Sequence, residues 1–430
     1  MCFHCIQQLP DTLRSLSART CSRPSTDCSK QIKMTASTSN DDHPSRMGHI
    51  PEFVTTPSAP PIFQTTAFDV PDLNTLAELY QGTAHGYVYT RDSNPNHTAL
   101  GKSISDLEHA ESAAVFASGM GAIAAVALTL GAAGDHVIVA RSLYGITLKL
   151  MARLQQQFGM TITYVDACNP TEVADAVQSN TRFCMIETVS NPLLEVADIA
   201  AIAKALGDIP LVVDSTFTTP VLIRPLEHGA AVVVHSASKY LNGHGDVMLG
   251  VAAGDAKTMK SVRETSSVFG QNANPFECWL TQRGLRTLPL RMTQVCQTTN
   301  RLAEWLNGHP AVSKVYHPTL PSHATYAVAQ KLYPQGVGGI IAFTLPGGGK
   351  AAVNDFMIAA KSIPFSPTLA DSRTTVSHPA TTSHGFMTKA ARLELGITDE
   401  LIRLSVGLEP FELLQRELDE ALRAVVQVEG

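Results

Sequence analysis

The segment AVVVHSASKYLNGHGD (residues 231–246) runs four apolar residues, three of them valine, into a cluster of small hydroxyls and a lysine. A short β-branched run of this kind is the mark of a strand buried on both faces. Ser236, Ser238 and Lys239 then fall at or just past the strand's carboxyl end. The same design recurs upstream. PLVVDS (210–215) closes on Asp214, and AAVFAS (113–118) leads into Ser118-Gly119-Met120-Gly121. Four further segments complete a set of seven: HVIVA (136–140), TITYVD (161–166), RFCMIET (182–188) and MLGVAAG (248–254). Helical patterns such as PTEVADAVQ and DIAAIAKAL lie between most of them. Strands alternating with helices predict an α/β fold, a mainly parallel sheet covered on both faces. No internal repeat is visible.

Outward from this block the pattern changes in both directions. Residues 1–47 are rich in Ser, Thr, Cys and Arg without apolar periodicity and read as a disordered extension. Met34 and Met47 are alternative starts within it, and an organellar transit peptide is the rival reading of its basic, acid-poor first part. Residues 48–95, Pro-rich and then aromatic, suit an arm lying on a neighbouring subunit. Residues 96–290 hold the alternating strands. Residues 291–430 open with the long helix RMTQVCQTTNRLAEWLNG, continue through strand-like AVSKVYH and IIAFTL, and close with EPFELLQRELDEALRAVVQ. They predict a smaller C-terminal α+β domain.

The 430 residues are 44% hydrophobic and only 16% charged, enough to bury a large core and hide surface in an oligomer. A net charge of −6 gives no basic excess, so neither nucleic acid nor an anionic membrane is an expected partner. Ser112–Gly134 is uncharged and long enough to span a bilayer. Its four glycines and its β-like and helix-like halves favour a buried strand-turn-helix instead. Four of the eight cysteines crowd the first 28 residues, and a zinc site on Cys2, Cys5, Cys21 and Cys28 would lack folded surroundings. The remaining four sit singly among apolar neighbours, as reduced cysteines do in the cytoplasm, the expected location. No metal is expected.

In a parallel sheet, ligands gather at the carboxyl ends of the strands. Three such ends here carry complementary groups. Ser118-Gly119-Met120-Gly121 before a helix offers a cradle of backbone N–H groups for a phosphate. Asp214 after a run of apolar residues calls for a cationic partner. Lys239, beside small hydroxyls and partly desolvated, is suited to a Schiff base. Each has a plainer reading on its own: a helix cap or salt bridge for Asp214, an ordinary turn for Ser-x-Ser-Lys, a simple helix start for the glycines. In the order phosphate loop, carboxylate, and lysine 25 residues later, they are what pyridoxal 5′-phosphate requires. A nicotinamide-binding fold would need G-x-G-x-x-G after its first strand, which Ser118–Ile123 does not supply. A silent scaffold would have no reason to keep both Asp214 and Lys239.

From about Pro51 to the C-terminal helix the chain resembles the cystathionine γ-synthase, cystathionine γ-lyase and methionine γ-lyase family. That family has the fold type I, aspartate-aminotransferase-like PLP architecture. HSASKYLNGHGD is similar to its lysine signature. VVDSTFTTP resembles its pyridine-carboxylate motif, with Ser215 where asparagine is usual. ETVSNPLLEVADI resembles its Glu-x-Pro-x-Asn-Pro stretch, with Val189 for proline. The resemblance implies that Lys239 holds the cofactor and shuttles protons, Asp214 pairs with the pyridine nitrogen, and Asn191 lies near the ring's 3-oxygen. Gly119 and Met120 through their backbone, with Ser236 and Ser238 through hydroxyls, would hold the phosphate. Tyr144 would stack on the ring and exchange a proton with the leaving group. On its residues alone Tyr144 reads equally as a core aromatic. Tyr89 and Arg91 would reach the phosphate of a neighbouring subunit, implying a homo-oligomer, a dimer of shared sites that pairs into a tetramer. Arg403 would grip the α-carboxylate of a small amino-acid substrate.

The activity so implied is γ-replacement or γ-elimination on O-acylhomoserine or cystathionine, within cysteine and methionine metabolism. The alternatives are methionine γ-lyase, O-acylhomoserine sulfhydrylase and cystathionine β-lyase. Lys149, basic where methionine γ-lyases have an apolar residue, and Ile146, where they have cysteine, favour a substrate with a distal carboxylate. A solvated face remains the other reading of Lys149. The family's Ser-Leu-Gly-x-x-Glu segment reads Thr368-Leu369-Ala370-Asp371-Ser372-Arg373. Thr368 keeps the hydroxyl, whereas Arg373 replaces a glutamate near the substrate. With Asp92 standing where a basic residue is usual, Arg373 suggests a charge-swapped pair across the subunit interface.

Overall fold

The computed structural model describes residues 57–428, which form one compact unit. The zinc and start-site readings of residues 1–47 lie outside the described residues. All seven expected strands form: β1 (Ser112–Phe116), β2 (His136–Ala140), β3 (Thr161–Val165), β4 (Thr181–Glu187), β5 (Leu211–Asp214), β6 (Val232–Ser236) and β7 (Gly250–Gly254). Their order in the sheet is β1-β7-β6-β5-β4-β2-β3. Only β7 runs antiparallel to its neighbours β1 and β6, so the other six strands aim their carboxyl ends at one edge. β2, β5 and β6 are buried almost throughout, which is why they read as unbroken apolar runs.

Four helices precede or interleave the early strands: α1 (Leu73–Gln81), α2 (Pro95–Glu108), α3 (Gly119–Leu130) and α4 (Gly145–Phe158). α1 has no buried residue, which is how an arm would present itself. The uncharged stretch resolves into β1 and α3, with Ala122, Ala125 and Val126 in the core. Among the described residues no helix is long and apolar enough to cross a membrane.

A second sheet of four strands joins β8 (Lys314–Tyr316), β9 (Ile340–Thr344), β10 (Thr375–Ser377) and β11 (Leu401–Ser405) in the order β10-β11-β9-β8, antiparallel throughout. The closing helix Phe411–Val428 and the helix Gly349–Ala359 cover it. It has its own core around Phe343, Phe356, Leu404 and Leu418. The helix Leu288–Asn307 serves both cores, Met292 and Val295 in the first, Leu302 and Leu306 in the second. A boundary at 290 therefore falls in the first turn of a continuous helix.

Candidate active site

At the carboxyl edge of the large sheet, where segments from the small sheet lean over it, lies a cavity of about 780 Å³. Gly119, Met120, Tyr144, Lys149, Asn191, Asp214, Ser236, Ser238, Lys239, Thr368 and Arg403 all line it. These eleven residues come from seven separate stretches of chain, and the parallel strand ends are what gather most of them.

One end of the cavity is built for an anion. Ser118 caps α3 by accepting the Gly121 N–H at 3.0 Å. The other amides of the first turn are left without partners inside the helix. A Cβ at Gly119 would lie 2.8 Å from the Ser236 Cβ and 3.0 Å from its Oγ. At Gly250 it would meet the Ser118 carbonyl at 2.0 Å. Only glycine allows β7, the Ser236 turn and the start of α3 to approach this closely. Ser238 is partly engaged already, accepting the Leu249 N–H at 2.9 Å.

The floor carries two carboxylates. Asp214 Oδ1 accepts the Thr216 N–H at 2.9 Å and its hydroxyl at 2.5 Å, leaving Oδ2 to the cavity. The same Thr216 hydroxyl oxygen accepts the Ser236 N–H at 2.9 Å, tying the carboxylate motif to the lysine motif. Beside Asp214 stands Glu187, whose Oε1 accepts the Tyr144 backbone N–H at 2.6 Å. Burial pushes both carboxyl groups above their ordinary range, and Asp214 raises Glu187 further. Hydrogen bonds oppose the shift at both, from Thr216 at Asp214 and from the Tyr144 and Asn191 backbone at Glu187.

Opposite lies a cationic pair. Lys239 Nζ is 3.4 Å from the Thr368 hydroxyl, and burial, then the nearby Arg403 charge, lower its pKa. Arg403 on β11 is only 4% exposed, and burial brings its pKa down to about 10. One terminal nitrogen donates to Asn191 Oδ1 at 3.1 Å and the other to the Thr368 carbonyl at 3.0 Å. Its Nε is buried and has no partner. Tyr144 presents its ring to the cavity, and desolvation raises its phenol.

Three sequence-predicted residues lie elsewhere. Tyr89 and Arg91 line a separate cavity with Thr65, Asn272 and Asn274, and the Arg91 guanidinium lies 5.1 Å from the Tyr89 ring centroid. Neither reaches the Lys239 cavity of its own chain. Arg373 is exposed and is not among the residues lining the Lys239 cavity of its own chain. Ala370 adopts φ 63°, and Ser372 donates to the Gly243 carbonyl and accepts from the Leu408 N–H, a turn that swings residue 373 outward. Asp371 instead packs against Gly245. Asp92 is engaged within its own chain, bonded to the Ser267 hydroxyl and 3.6 Å from Arg91 Nε.

Sequence reading missed Glu187, Thr216 and Phe386 as site residues. Glu187 and Thr216 sat inside motifs already quoted, and polarity at a strand end was their available signal. Phe386 lies in a loop without periodicity and gave none.

The donor set fits pyridoxal phosphate. A helix N-terminus with a glycine-only cradle suits its phosphate, Asp214 Oδ2 its ring nitrogen, and an amine of lowered pKa its aldehyde. Residues 46–423 match the family model described as Cys/Met metabolism PLP-dependent enzyme. An L-methionine gamma-lyase of Fusobacterium nucleatum is 38% identical over 85% of this chain and 94% of its own length. An O-succinylhomoserine sulfhydrylase of Pseudomonas aeruginosa is 38% identical over 85% and 90%. Among solved structures, a cystathionine gamma synthase of Xanthomonas oryzae pv. oryzae in complex with cystathionine superposes with TM-score 0.81 at 33% identity, covering 86% of this chain and 94% of that one.

Proposed function

The chain belongs to the family of Cys/Met-metabolism PLP-dependent enzymes, and from that footing we propose that it acts on a homoserine-derived amino acid whose γ-substituent ends in a carboxylate. Cystathionine and O-succinylhomoserine are such substrates, and the reaction is γ-elimination or γ-replacement. The observation that carries this reading is Lys149, an exposed ammonium lining the Lys239 cavity one turn along α4 from Tyr144.

Pyridoxal phosphate, when bound, supplies the electron sink for the charge left on the substrate's α-carbon. The remaining work falls to the chain. Arg403, which lines the cavity, holds the α-carboxylate with its guanidinium. Lys239, with its pKa lowered, removes the α-proton and then a β-proton, because a γ-substituent leaves only after charge has developed at the β-carbon. The Thr368 hydroxyl, 3.4 Å away, steadies the amine between these transfers. Tyr144, anchored through its N–H to Glu187, protonates the departing sulfur or oxygen. Tyr89 and Arg91 serve the phosphate of a neighbouring subunit.

Methionine, which lacks the distal carboxylate, is the competing substrate, and relatives of equal identity are L-methionine gamma-lyases. Purified enzyme should be compared on cystathionine, on O-succinylhomoserine with cysteine, and on methionine. Higher kcat/KM for either carboxylate-bearing substrate, lost in Lys149→Met, supports the reading. Preference for methionine overturns it.

A further inference from the structure

Phe386 lies against the start of α4 so closely that a Cβ on Gly145 would meet its Cε1 at 2.5 Å. The Ser383 carbonyl would be equally near, at 2.6 Å. Residues 383–386 therefore rest on the first turn of α4, and glycine at 145 is what admits them. Lys149 is four residues on, over the same face of the helix. Its Nζ stands 4.1 Å from the centroid of the Phe386 ring. Ring, ammonium, Ile146 and Ser383 all line the Lys239 cavity.

The loop that presents the ring is well tied. His384 donates its N–H to the Pro379 carbonyl at 3.0 Å, and the Thr382 hydroxyl donates to the His378 carbonyl at 2.8 Å. Met387 N–H returns to the His384 carbonyl at 3.1 Å. A ring held in this way offers its negative face to a cation at a fixed position. A lysine without such a partner samples many rotamers and loses that freedom when it meets a ligand. The Lys149 ammonium thus stands against the ring while its side chain lines the same cavity.

We propose that Phe386 is a specificity-determining residue, whose ring holds the Lys149 ammonium in place to receive the distal carboxylate of the substrate. The proposal rests on the reading of the substrate given above and adds the device that makes Lys149 selective. Without the ring the ammonium is still present but not positioned, so discrimination falls while the site stays intact. The plainer role, simple cover for Gly145, predicts no dependence on Lys149.

The test uses the holoenzyme and two amino acids without a leaving group. α-Aminopimelate carries a distal carboxylate, and norleucine ends in a methyl. Calorimetric Kd values for both are compared in wild type, Phe386→Leu, Phe386→Trp, Lys149→Met and the Leu/Met double variant. The expected result is a wild-type preference for α-aminopimelate that Phe386→Leu reduces by about two- to fivefold. Phe386→Trp should retain it, since the ring is kept. The double variant should lose no more preference than Lys149→Met alone. Undiminished preference in Phe386→Leu, or additive losses, overturns the role of Phe386. A wild type that binds both probes alike, unchanged by Lys149→Met, instead defeats the substrate reading beneath it. Phe386→Trp guards against a folding artefact: loss of preference in both Phe386 variants alike would mean that packing, not the aromatic ring, is what matters.

Discussion

Glu187 and Asp214 stand in register at the ends of the neighbouring parallel strands β4 and β5, two carboxyl groups side by side on the floor of one cavity. Two like charges so placed cannot both persist at low cost. Burial raises both; Thr216 opposes this at Asp214 with two hydrogen bonds, the Tyr144 and Asn191 backbone opposes it at Glu187, and Asp214 raises Glu187 further. A proton held on Glu187, with the charge left on Asp214, is the arrangement that Glu187→Gln tests. With pyridoxal phosphate bound, such a pair would present one charge to one pyridinium, while Glu187 accepts the N–H that fixes Tyr144.

Glutamine imitates protonated glutamic acid, so Glu187→Gln should bind pyridoxal phosphate within about threefold of wild type. Glu187→Ala strands the Tyr144 N–H and should weaken binding by about five- to tenfold, as for a lost hydrogen bond of ~1 kcal/mol. Because the folded-state pKa of Glu187 lies above its unfolded value, its stabilisation is present below about pH 4.3 and is lost as pH rises through the folded value. Thermal midpoints of the cofactor-free proteins should therefore shift in favour of Glu187→Gln as pH increases from 4.5 to 8. A difference that does not vary with pH would show Glu187 to be an ordinary ionised carboxylate.

Lys239 is the only lysine among the residues lining the cavity floor beside Asp214, with Lys149 set apart on α4. Borohydride reduction of the coloured protein should fix the chromophore to the peptide containing Lys239. Lys239→Ala should abolish that attachment and lower turnover by about a hundred- to ten-thousand-fold, the usual worth of a positioned acid–base group. Labelling of any other peptide would contradict the assignment.

Ala370 occupies a left-handed conformation, φ 63°, at the position where the family segment has glycine. The turn is held by its N–H bond to Ser405 Oγ at 2.8 Å and by the Ser372 contacts. A Cβ in this region costs about 1 kcal/mol, part of it offset by the greater freedom of glycine in the unfolded chain. Ala370→Gly should raise the thermal midpoint by about one or two degrees with Thr368 undisturbed. A lowered midpoint would mean that the alanine methyl contributes more by packing than it costs in backbone strain.

What could be read from the chain follows from how each residue is buried. β2, β5 and β6 are enclosed on both faces, so their valines and isoleucines announce strands without help from neighbours. The polar groups at their ends were legible because topology alone brings parallel strand ends together. β11 is equally buried but carries Arg403 at its centre, which breaks the apolar run. What makes that arginine tolerable, Asn191 and the Thr368 carbonyl, lies 212 and 35 residues away in sequence. Glu187 was quoted as a motif residue, yet its importance arises from register with Asp214, a long-range property. The direction of residue 373 depends on the φ of Ala370, which composition does not reveal.

Tyr89 and Arg91 line their own cavity and do not approach the Lys239 cavity of the same chain. If they complete the site of a neighbouring subunit, each site draws Lys239 from one chain and Arg91 from the other. Arg91→Ala and Lys239→Ala should then each be nearly inactive alone. Mixed and allowed to exchange subunits, they should recover activity, because one of the two sites in a hybrid dimer receives both intact residues. Random exchange at equal concentrations makes half the dimers hybrid, each with one working site of two, so about a quarter of wild-type activity is expected. Swapping Arg91→Ala for Arg403→Ala is the control. Arg403 and Lys239 line the same cavity of one chain, yet their variants also leave one site of the hybrid damaged in Arg403 alone and the other in Lys239 alone, so no recovery follows. Recovery in the first mixture but not the second locates Arg91 across the interface. Failure in both, after exchange has been verified with differently tagged subunits, would place Arg91 outside any shared site.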